Sequence, residues 1–343
     1  MADGLGRAPP PPLTDAFGRN VTYLRLSVTD RCDLRCTYCM AEQMTFLPKK
    51  DLLTLEELES VADAFIRRGV TKIRITGGEP LVRRDIGTLF DRLGSRLGHG
   101  LDELTLTTNA TLLTTHAARL YAAGVRRVNI SLDTLDADTF KAITRRGDLA
   151  QTLAGIAAAK AAGLKVKINT VALKHQNAEE IPGMIAWAHD QGFDITLIEV
   201  MPLGLTGEDR YDQYIPLFEI RDRLEQKWTL TDDTARAADA GPSRYARVAE
   251  TGGRVGFITP LTNNFCAGCN RVRVTCTGRI YMCLGHDDHV DLRSALRDTA
   301  DPAAALNAAL DRALRGKPEK HAFGIRARAE TPALPRHMSV TGG

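Results

Sequence analysis

The sequence contains no apolar run long enough to cross a membrane, and its first residues, MADGLGRAPPPPL, include no apolar stretch of the kind that directs secretion. It also lacks a large excess of either charge: 45 Lys and Arg against 42 Asp and Glu leave a formal net charge of +3. A general nucleic-acid binder needs a strongly basic surface, so this balance argues against one. We expect a cytoplasmic protein that contacts neither membrane nor nucleic acid and that binds any anion through a local basic cluster.

The composition excludes two further classes of protein. Hydrophobic residues make up 43% and charged residues 25% of the 343 residues. These are ordinary values for a globular protein, so the chain is neither disordered nor fibrous over most of its length. Its length suits one large α/β domain with a smaller addition.

Cysteine is absent from the whole middle of the chain. The seven cysteines fall into two groups, Cys32, Cys36 and Cys39 near one end and Cys266, Cys269, Cys276 and Cys283 near the other. An odd number in a chain of this size argues against a disulfide framework, and tight clustering favours metal binding. We therefore look for function at the two cysteine groups.

Short β-branched runs alternate with longer amphipathic segments, which is the pattern of parallel strands joined by helices. Strands are predicted at 21–27, 72–76, 103–108, 127–132, 165–171 and 195–200. Helices are predicted at 54–69, 112–123, 150–162 and 178–191. Six strand-helix units are fewer than the eight of a closed TIM barrel. The predicted fold class is α/β, an incomplete TIM-type parallel barrel with one open side.

Four segments are predicted along the chain. Residues 1–13, which include four consecutive prolines, form a flexible N-terminal arm. Residues 14–235 form the partial barrel. Residues 236–330 contain short, turn-separated strands and form a small C-terminal α+β domain that covers the open side. Residues 331–343 form a polar tail that ends in two glycines.

The first cysteine group has the spacing C-x3-C-x2-C and follows the first predicted strand. In parallel barrels, catalytic residues lie at the carboxyl ends of strands. A [4Fe-4S] cluster normally takes four protein ligands, so three thiols leave one iron open to a small molecule. A zinc site, or three unrelated thiols, is the alternative. With Tyr38 before the last cysteine, the motif resembles the signature of the radical S-adenosylmethionine (SAM) superfamily.

This resemblance implies a radical SAM type of barrel with a [4Fe-4S] cluster on Cys32, Cys36 and Cys39. The open iron of that cluster would chelate SAM, and an electron from the cluster would split SAM to a 5′-deoxyadenosyl radical. The resemblance also implies four residues in contact with SAM: Tyr38, Gly78 of a Gly-Gly-Glu turn, Ser131 and Met201. A plain turn and a core methionine are the alternatives for the Gly-Gly pair and Met201. Asp133 is predicted to be a helix cap.

The second cysteine group contains Cys266 and Cys269 as C-x2-C, then Cys283 after thirteen further residues, with Cys276 in between. Four thiols can form a zinc ribbon or a fully ligated cluster. The C-x2-C-x13-C spacing is similar to that of the GTP 3′,8-cyclase family of molybdenum cofactor biosynthesis. The resemblance implies a second [4Fe-4S] cluster on Cys266, Cys269 and Cys283, whose open iron contacts guanine. Cys276 is then a bystander on the strand RVRVTC.

Basic residues on the predicted strands are the candidate nucleotide ligands. No G-x-x-x-x-G-K-[ST] loop occurs, so side chains would have to hold a triphosphate. A solvated strand face is the alternative for the pair Arg271 and Arg273. The resemblance assigns six residues to GTP: Arg25, Arg74, Thr107, Lys167, Arg271 and Arg273. It also implies that Gly342 and Gly343 reach the active site and take part in catalysis, whereas a frayed chain end is the alternative.

The resemblance implies a lyase that converts GTP to 3′,8-cyclo-7,8-dihydro-GTP, the first step of molybdenum cofactor biosynthesis. It implies a reductant of the flavodoxin or ferredoxin type, a downstream cyclic pyranopterin monophosphate synthase, and a monomer or homodimer. Two alternatives stay open. One is a radical SAM dehydrogenase or peptide-modifying enzyme with an auxiliary cluster. The other is a non-catalytic iron-sulfur or zinc-binding module, for which His286 and His289 are candidate ligands.

Overall fold

The computed structural model describes residues 10–207, 209–234, 241–263, 266–321, 334 and 336–342. Gly343 and most of the predicted N-terminal arm lie outside these ranges. The prediction of a flexible arm is wrong at the end of that segment. Leu13 is buried, and its amide donates a hydrogen bond to the carbonyl of Arg68. The carbonyl of Pro11 in turn accepts a hydrogen bond from the Arg68 side chain.

The described residues form one twelve-stranded sheet, and its eight central strands are parallel. In chain order the strands are β1 Tyr23–Ser27, β2 Lys72–Thr76, β3 Glu103–Thr108, β4 Arg127–Ser131, β5 Lys165–Ala172, β6 Asp194–Glu199, β7 Leu230–Asp233, β8 Arg244–Val248, β9 Arg254–Ile258, β10 Arg271–Val274, β11 Arg279–Tyr281 and β12 His289–Asp291. Across the sheet they run β12-β11-β10-β1-β2-β3-β4-β5-β6-β9-β8-β7. Because β12 and β7 do not pair with each other, the sheet is open, and the predicted incomplete parallel barrel is confirmed.

Most of the helices connect successive strands, and the last three follow the final strand. They are α1 Leu55–Arg67, α2 Ile86–Gly94, α3 Leu113–Ala122, α4 Ala137–Thr144, α5 Leu149–Ala161, α6 Ile181–Asp190, α7 Leu217–Glu225, α8 Arg293–Arg297, α9 Pro302–Arg315 and α10 Met338–Thr341. The predicted start of α1 is confirmed by a capping box, in which Glu57 N donates to Thr54 Oγ1 and Thr54 N donates to Glu57 Oε2. In the described ranges, no helix combines the length and apolar character needed to span a membrane.

The two faces of the sheet differ sharply in chemistry. On β1, Leu24 and Leu26 are fully buried in the main hydrophobic core, as are Ile73 and Ile75 on β2. The alternate positions point the other way, because successive side chains of a strand face opposite sides. Those positions carry polar or charged residues such as Arg25, whereas the interior of an ordinary TIM barrel is filled with branched apolar side chains. The inner face is therefore suited to a polar ligand.

The strands after residue 236 complete the sheet at both edges. β9 pairs in parallel with β6, and β10 pairs in parallel with β1. The small C-terminal domain was predicted to cover the open side as a separate unit, but its strands instead continue the barrel sheet in two directions. This arrangement brings Arg273 of β10 into register with Arg25 of β1. It therefore places the second cysteine group, which flanks β10, beside the first strand of the barrel.

Candidate active site inside the barrel

The first cysteine group forms a loop at the carboxyl end of β1. The backbone amide of Cys39 donates to the carbonyl of Cys36 over 2.9 Å, which makes a tight turn between these two ligand candidates. All three thiol residues, Cys32, Cys36 and Cys39, line a cavity of about 190 Å³. The ends of β2 to β6 also line it, so the parallel strands curve around this space.

The Gly-Gly-Glu turn after β2 is packed directly against the cysteine loop. Gly78 N donates to the carbonyl of Thr29 over 3.0 Å, and Glu79 N donates to the carbonyl of Arg31 over 2.8 Å. A Cβ atom at position 78 would overlap the carbonyl of Arg31 and touch Cys32 Cβ. Glycine is thus required here for the close approach of two backbones, which fixes the position of Cys32 relative to the cavity.

The other predicted SAM contacts lie around the same cavity. Tyr38, Gly78, Ser131 and Met201 all line it. Asp133 lines it as well, so its prediction as a helix cap is wrong: Asp136 caps α4 instead, by accepting a hydrogen bond from Thr139 N. Asp133 is buried, accepts a hydrogen bond from the Tyr38 hydroxyl over 2.7 Å, and has a pKa raised to about 6 by burial. It is a site residue that sequence reasoning missed.

The surroundings of the first cysteine group disfavour three isolated thiolates. Burial raises the pKa of Cys32, of Cys36 and of Cys39, the last to about 11. The carboxylates of Glu79 and Asp133 raise the pKa values of Cys32 and Cys36 further. Thiols whose pKa values are raised in this way lose their protons readily only when a metal takes the place of the protons. The donor set therefore fits an iron-sulfur cluster.

A row of arginines lies deeper on the inner face of the sheet. Arg273, Arg25 and Arg74 occupy equivalent positions on the adjacent strands β10, β1 and β2. Burial and the neighbouring guanidinium groups lower the pKa of Arg25 well below its usual range, and they lower that of Arg273 to about 10. Like charges held together in this way favour the binding of a polyanion.

Several polar atoms on the inner face have no hydrogen-bond partner among the described residues, although they are buried. They include Arg25 Nε, Arg74 Nε, Thr107 Oγ1, Asn129 Oδ1 and Asn169 Oδ1. Buried polar groups are almost always paired, so a cluster of orphans indicates a ligand that pairs with them. Asn129 and Asn169 were not predicted from the sequence. The available signal was a polar residue at each inward position of a buried strand.

Two more predicted GTP ligands border this interior. The Lys167 ammonium contacts the hydroxyl of Tyr245, and burial lowers the pKa of Lys167. Arg271 is in register with Tyr23 of β1 and is close enough to Cys269 to lower the pKa of that thiol. The structure thus brings all six predicted basic and polar residues to the inner face and the adjoining second cysteine group.

Cys266, Cys269 and Cys283 lie close to one another. Burial raises the pKa of Cys283, and the nearby thiols of Cys266 and Cys269 raise it further. Cys276 is fully buried and has Asp30 and Arg83 as its charged neighbours instead. Neither histidine of the zinc alternative bonds to a thiol in the described residues: His286 Nε2 contacts the carbonyl of Lys320, and His289 Nδ1 contacts that of Asp287. Within the described ranges no group of three Cys, His, Asp or Glu side chains is arranged to hold a single metal ion.

The C-terminal tail connects the two cysteine groups. Arg336 donates to the carbonyl of Leu284, next to Cys283, over 2.9 Å. Ser339 lines the main cavity, and its backbone lies close enough to Cys39 to offset part of the rise in the pKa of that thiol. Further along, the carbonyl of Gly342 accepts a hydrogen bond from Arg273, and Gly342 packs against Thr76. The tail therefore reaches the barrel interior, while Gly343 lies outside the described residues.

An open parallel barrel with C-x3-C-x2-C at the end of β1 and Gly-Gly-Glu at the end of β2 defines a radical SAM enzyme. The family model of the radical SAM superfamily matches residues 26–188, and that of Molybdenum Cofactor Synthesis C matches residues 193–323. The fold resembles Streptococcus suis SuiB bound to S-adenosylmethionine, with a TM-score of 0.57, 17% identity, and coverage of 86% of this chain and 68% of that one.

Curated relatives define the family more narrowly. The chain is 63% identical to a GTP 3′,8-cyclase of Erythrobacter litoralis, over 96% of this chain and 98% of the relative. It is 61% identical to one of Rhodopseudomonas palustris, over 97% and 96%, and 60% identical to one of Rhizobium etli, over 97% and 94%. The chain belongs to the GTP 3′,8-cyclase family. As a radical SAM enzyme it uses SAM and a [4Fe-4S] cluster, and the first cysteine group fits that cluster.

Proposed function

We propose that this chain converts GTP to 3′,8-cyclo-7,8-dihydro-GTP, the first step of molybdenum cofactor biosynthesis. The observation that carries the proposal is the row of Arg273, Arg25 and Arg74 on the inner face, between the two cysteine groups. A triphosphate would relieve the repulsion among these guanidinium groups, and their planar forks suit phosphate oxygens. The identity of 60% or more to relatives named GTP 3′,8-cyclase supports the same conclusion.

Each cysteine group would hold one [4Fe-4S] cluster: Cys32, Cys36 and Cys39 the first, and Cys266, Cys269 and Cys283 the second. When bound, SAM and the first cluster would supply the radical chemistry by which C3′ of the GTP ribose is joined to C8 of guanine. The second cluster would lie beside the guanine base. Cys276 takes no part, since its neighbours are Asp30 and Arg83.

The residues around the main cavity would bind and orient SAM. Gly78 would hold the Cys32 loop beside bound SAM, and Ser131 and Met201 line the cavity that would take the SAM molecule. Tyr38 is held by Asp133, so that its ring has one fixed orientation beside the cysteines. With SAM in place and the strands closed around the space, little water remains near the reacting carbon atoms.

The GTP residues lie on five of the six adjacent strands from β10 through β5. Arg271, Arg273, Arg25 and Arg74 would neutralise the triphosphate, with Lys167 and Thr107 on the other side of the nucleotide. The orphaned Asn129 and Asn169 would bond to its ribose or base. The tail, with Gly342 beside Arg273 and Gly343 beyond it, would close the site and position the substrate near the second cluster.

The chemistry also requires partners outside the chain. We propose a low-potential reductant of the flavodoxin or ferredoxin type, which would meet exposed basic residues near the Cys32 loop, such as Arg31 and Arg146. The product would pass to cyclic pyranopterin monophosphate synthase. The enzyme would act in the cytoplasm as a monomer or homodimer.

The test is anaerobic incubation of the reconstituted chain with SAM, dithionite and GTP. We expect 5′-deoxyadenosine and a cyclised guanine nucleotide to form together, and the Cys36→Ala chain to form neither. A chain that cleaves SAM but leaves GTP unchanged, and that modifies a peptide instead, would contradict the proposal and favour the peptide-modifying alternative. Zinc in place of iron, without cleavage of SAM, would favour the binding module.

A further inference from the structure

A short segment of the chain lies against the second cysteine group and is held there by Arg19, a residue near the N-terminus. We call residues 317–321 the strap. The Arg19 side chain donates to the carbonyls of Pro318 and Glu319 in the strap, each over 2.7 Å, and to the carbonyl of Cys266 over 2.9 Å. One guanidinium group thus fixes the strap to the loop that carries two of the three thiols.

The strap and its surroundings provide a hydrogen-bond donor to each thiol of the group. Lys317 Nζ lies 3.5 Å from Cys269 Sγ, His321 N lies 3.4 Å from Cys266 Sγ, and Gly285 N lies 3.4 Å from Cys283 Sγ. Two of these donors are backbone amides, which no side-chain substitution removes. The third is the ammonium group of Lys317, and the guanidinium group of Arg271 is a second cation beside Cys269.

Lys317 is unusual for a lysine because it is only 3% exposed. Its Nζ contacts the Cys269 thiol and, over 3.2 Å, the carbonyl of Met282, which directly precedes Cys283. No carboxylate pairs with it in the described part of the chain. A buried ammonium group needs an opposite charge nearby. The thiolates of a bound cluster are the opposite charge that this position offers.

We propose that Lys317 is a positioning residue for the second cluster, and that its charge and its hydrogen bond to Cys269 raise the reduction potential of that cluster. This inference rests on the proposed function, because it requires a cluster on Cys266, Cys269 and Cys283. Reduction adds one electron and so increases the negative charge at the site. A buried cation and a donor to sulfur both stabilise that added charge.

The experiment measures the potential of the second cluster alone in the full-length chain. Cys32, Cys36 and Cys39 are replaced by Ala, so that iron binds only to the second group, and the loaded chain is titrated with dithionite while the reduced cluster is followed by electron paramagnetic resonance. In this background we compare Lys317→Met, which removes charge and donor, Lys317→Gln, which keeps a donor, and Lys317→Arg, which keeps both. Lys320→Met, an exposed position of the same strap, is the matched control.

We expect Lys317→Met to lower the ratio of reduced to oxidised cluster about tenfold at a fixed potential, a shift of about 59 mV to the negative side. Lys317→Gln should lie between, and Lys317→Arg and Lys320→Met should match the parent. An unchanged potential in Lys317→Met would overturn the inference. So would an equal shift in Lys317→Met and Lys317→Arg, since a purely structural role depends on the shape of lysine rather than its charge.

Loss of iron is decisive too. If both neutral variants fail to hold iron while Lys317→Arg loads fully, the charge of Lys317 is needed to keep the cluster, and the inference stands. If Lys317→Arg also fails, the lysine acts through its packing, and the inference falls. Failure of the proposed function looks different: an intact chain that holds iron at both cysteine groups and cleaves SAM but leaves GTP unchanged would contradict that function, whatever the potentials of the Lys317 variants.

Discussion

The row of inner arginines leads to an unusual prediction: a substitution in this row should stabilise the unliganded chain and weaken ligand binding. Arg25 lies between Arg273 and Arg74 in register, and its Nε has no partner among the described residues. Burial and the two neighbouring guanidinium groups hold its pKa well below its usual range. Its charge is therefore unfavourable until an anion binds, and Arg25→Met removes that charge while it keeps the length of the side chain.

The neighbouring Arg273 indicates the size of the effect. Its pKa falls from 12.5 to about 10, which corresponds to about 3 kcal/mol against the charged form. Partial exposure to solvent screens some of this free energy. We expect Arg25→Met to raise the free energy of unfolding by about 1 to 2 kcal/mol, or the thermal midpoint by about 2 °C. Loss of a charged contact of about 2 to 3 kcal/mol should weaken GTP binding about 30- to 150-fold.

Calorimetry measures both quantities: a thermal scan of the metal-free chain, and an anaerobic titration with GTP and then with guanosine. Guanosine has no phosphates, so its affinity should change little. Arg68→Met is the matched control, because Arg68 is also buried but its Nη2 lies 2.6 Å from Asp311. Arg68→Met should lower the thermal midpoint by several degrees, because it removes one partner of an ion pair. If Arg25→Met lowers the midpoint as much as the control does, the arginine row is structural and the reasoning is refuted.

Three further predictions concern the first cysteine group. Gly78→Ala should push the Cys32 loop away and reduce iron loading and SAM binding several-fold. Gly155→Ala on α5 is the control: it is also crowded by a backbone carbonyl, but it should only lower the thermal midpoint. Equal iron loading in the two variants would contradict this prediction. Burial raises the pKa of Glu79 from 4.5 to about 7, so the metal-free chain should lose stability as the pH rises through this range. Glu79→Gln should flatten the curve of thermal midpoint against pH. Parallel curves for the two chains would show that Glu79 does not titrate in this range. Cys36→Ala should abolish SAM cleavage with GTP affinity changed less than threefold in calorimetry, and loss of GTP binding with cleavage retained would reverse the assignment.

The central strands were predictable because their signal is local. Runs such as KIRIT and ELTLTT are rich in β-branched residues, and the observed strands β2 and β3 cover the predicted ranges 72–76 and 103–108. The capping box at Thr54 and Glu57 is likewise a contiguous pattern. The cysteine spacings were equally informative, because ligand geometry restricts the number of residues between thiols.

Non-local pairing was not predictable from such patterns. A short run such as RVRV shows that a strand forms, but the choice of β1 as its parallel partner depends on the whole barrel. For that reason the C-terminal segment was predicted as a separate domain rather than as both edges of one sheet. Asp133 was misassigned for a related reason: Asp133 and Asp136 both precede α4, and only the tertiary contact with Tyr38 separates a cap from a cavity residue.

The pairing of β1 with β10 has a consequence for the order in which this protein is made. Tyr23–Ser27 leaves the ribosome early, but its neighbour Arg271–Val274 follows only after most of the chain has been translated. At about 5 to 20 residues per second, the edge of β1 that pairs with β10 stays unpaired for roughly 10 to 50 s. Until then that strand edge can pair with another nascent chain, so a polypeptide that stops before β10 should aggregate rather than accumulate as a stable half-barrel.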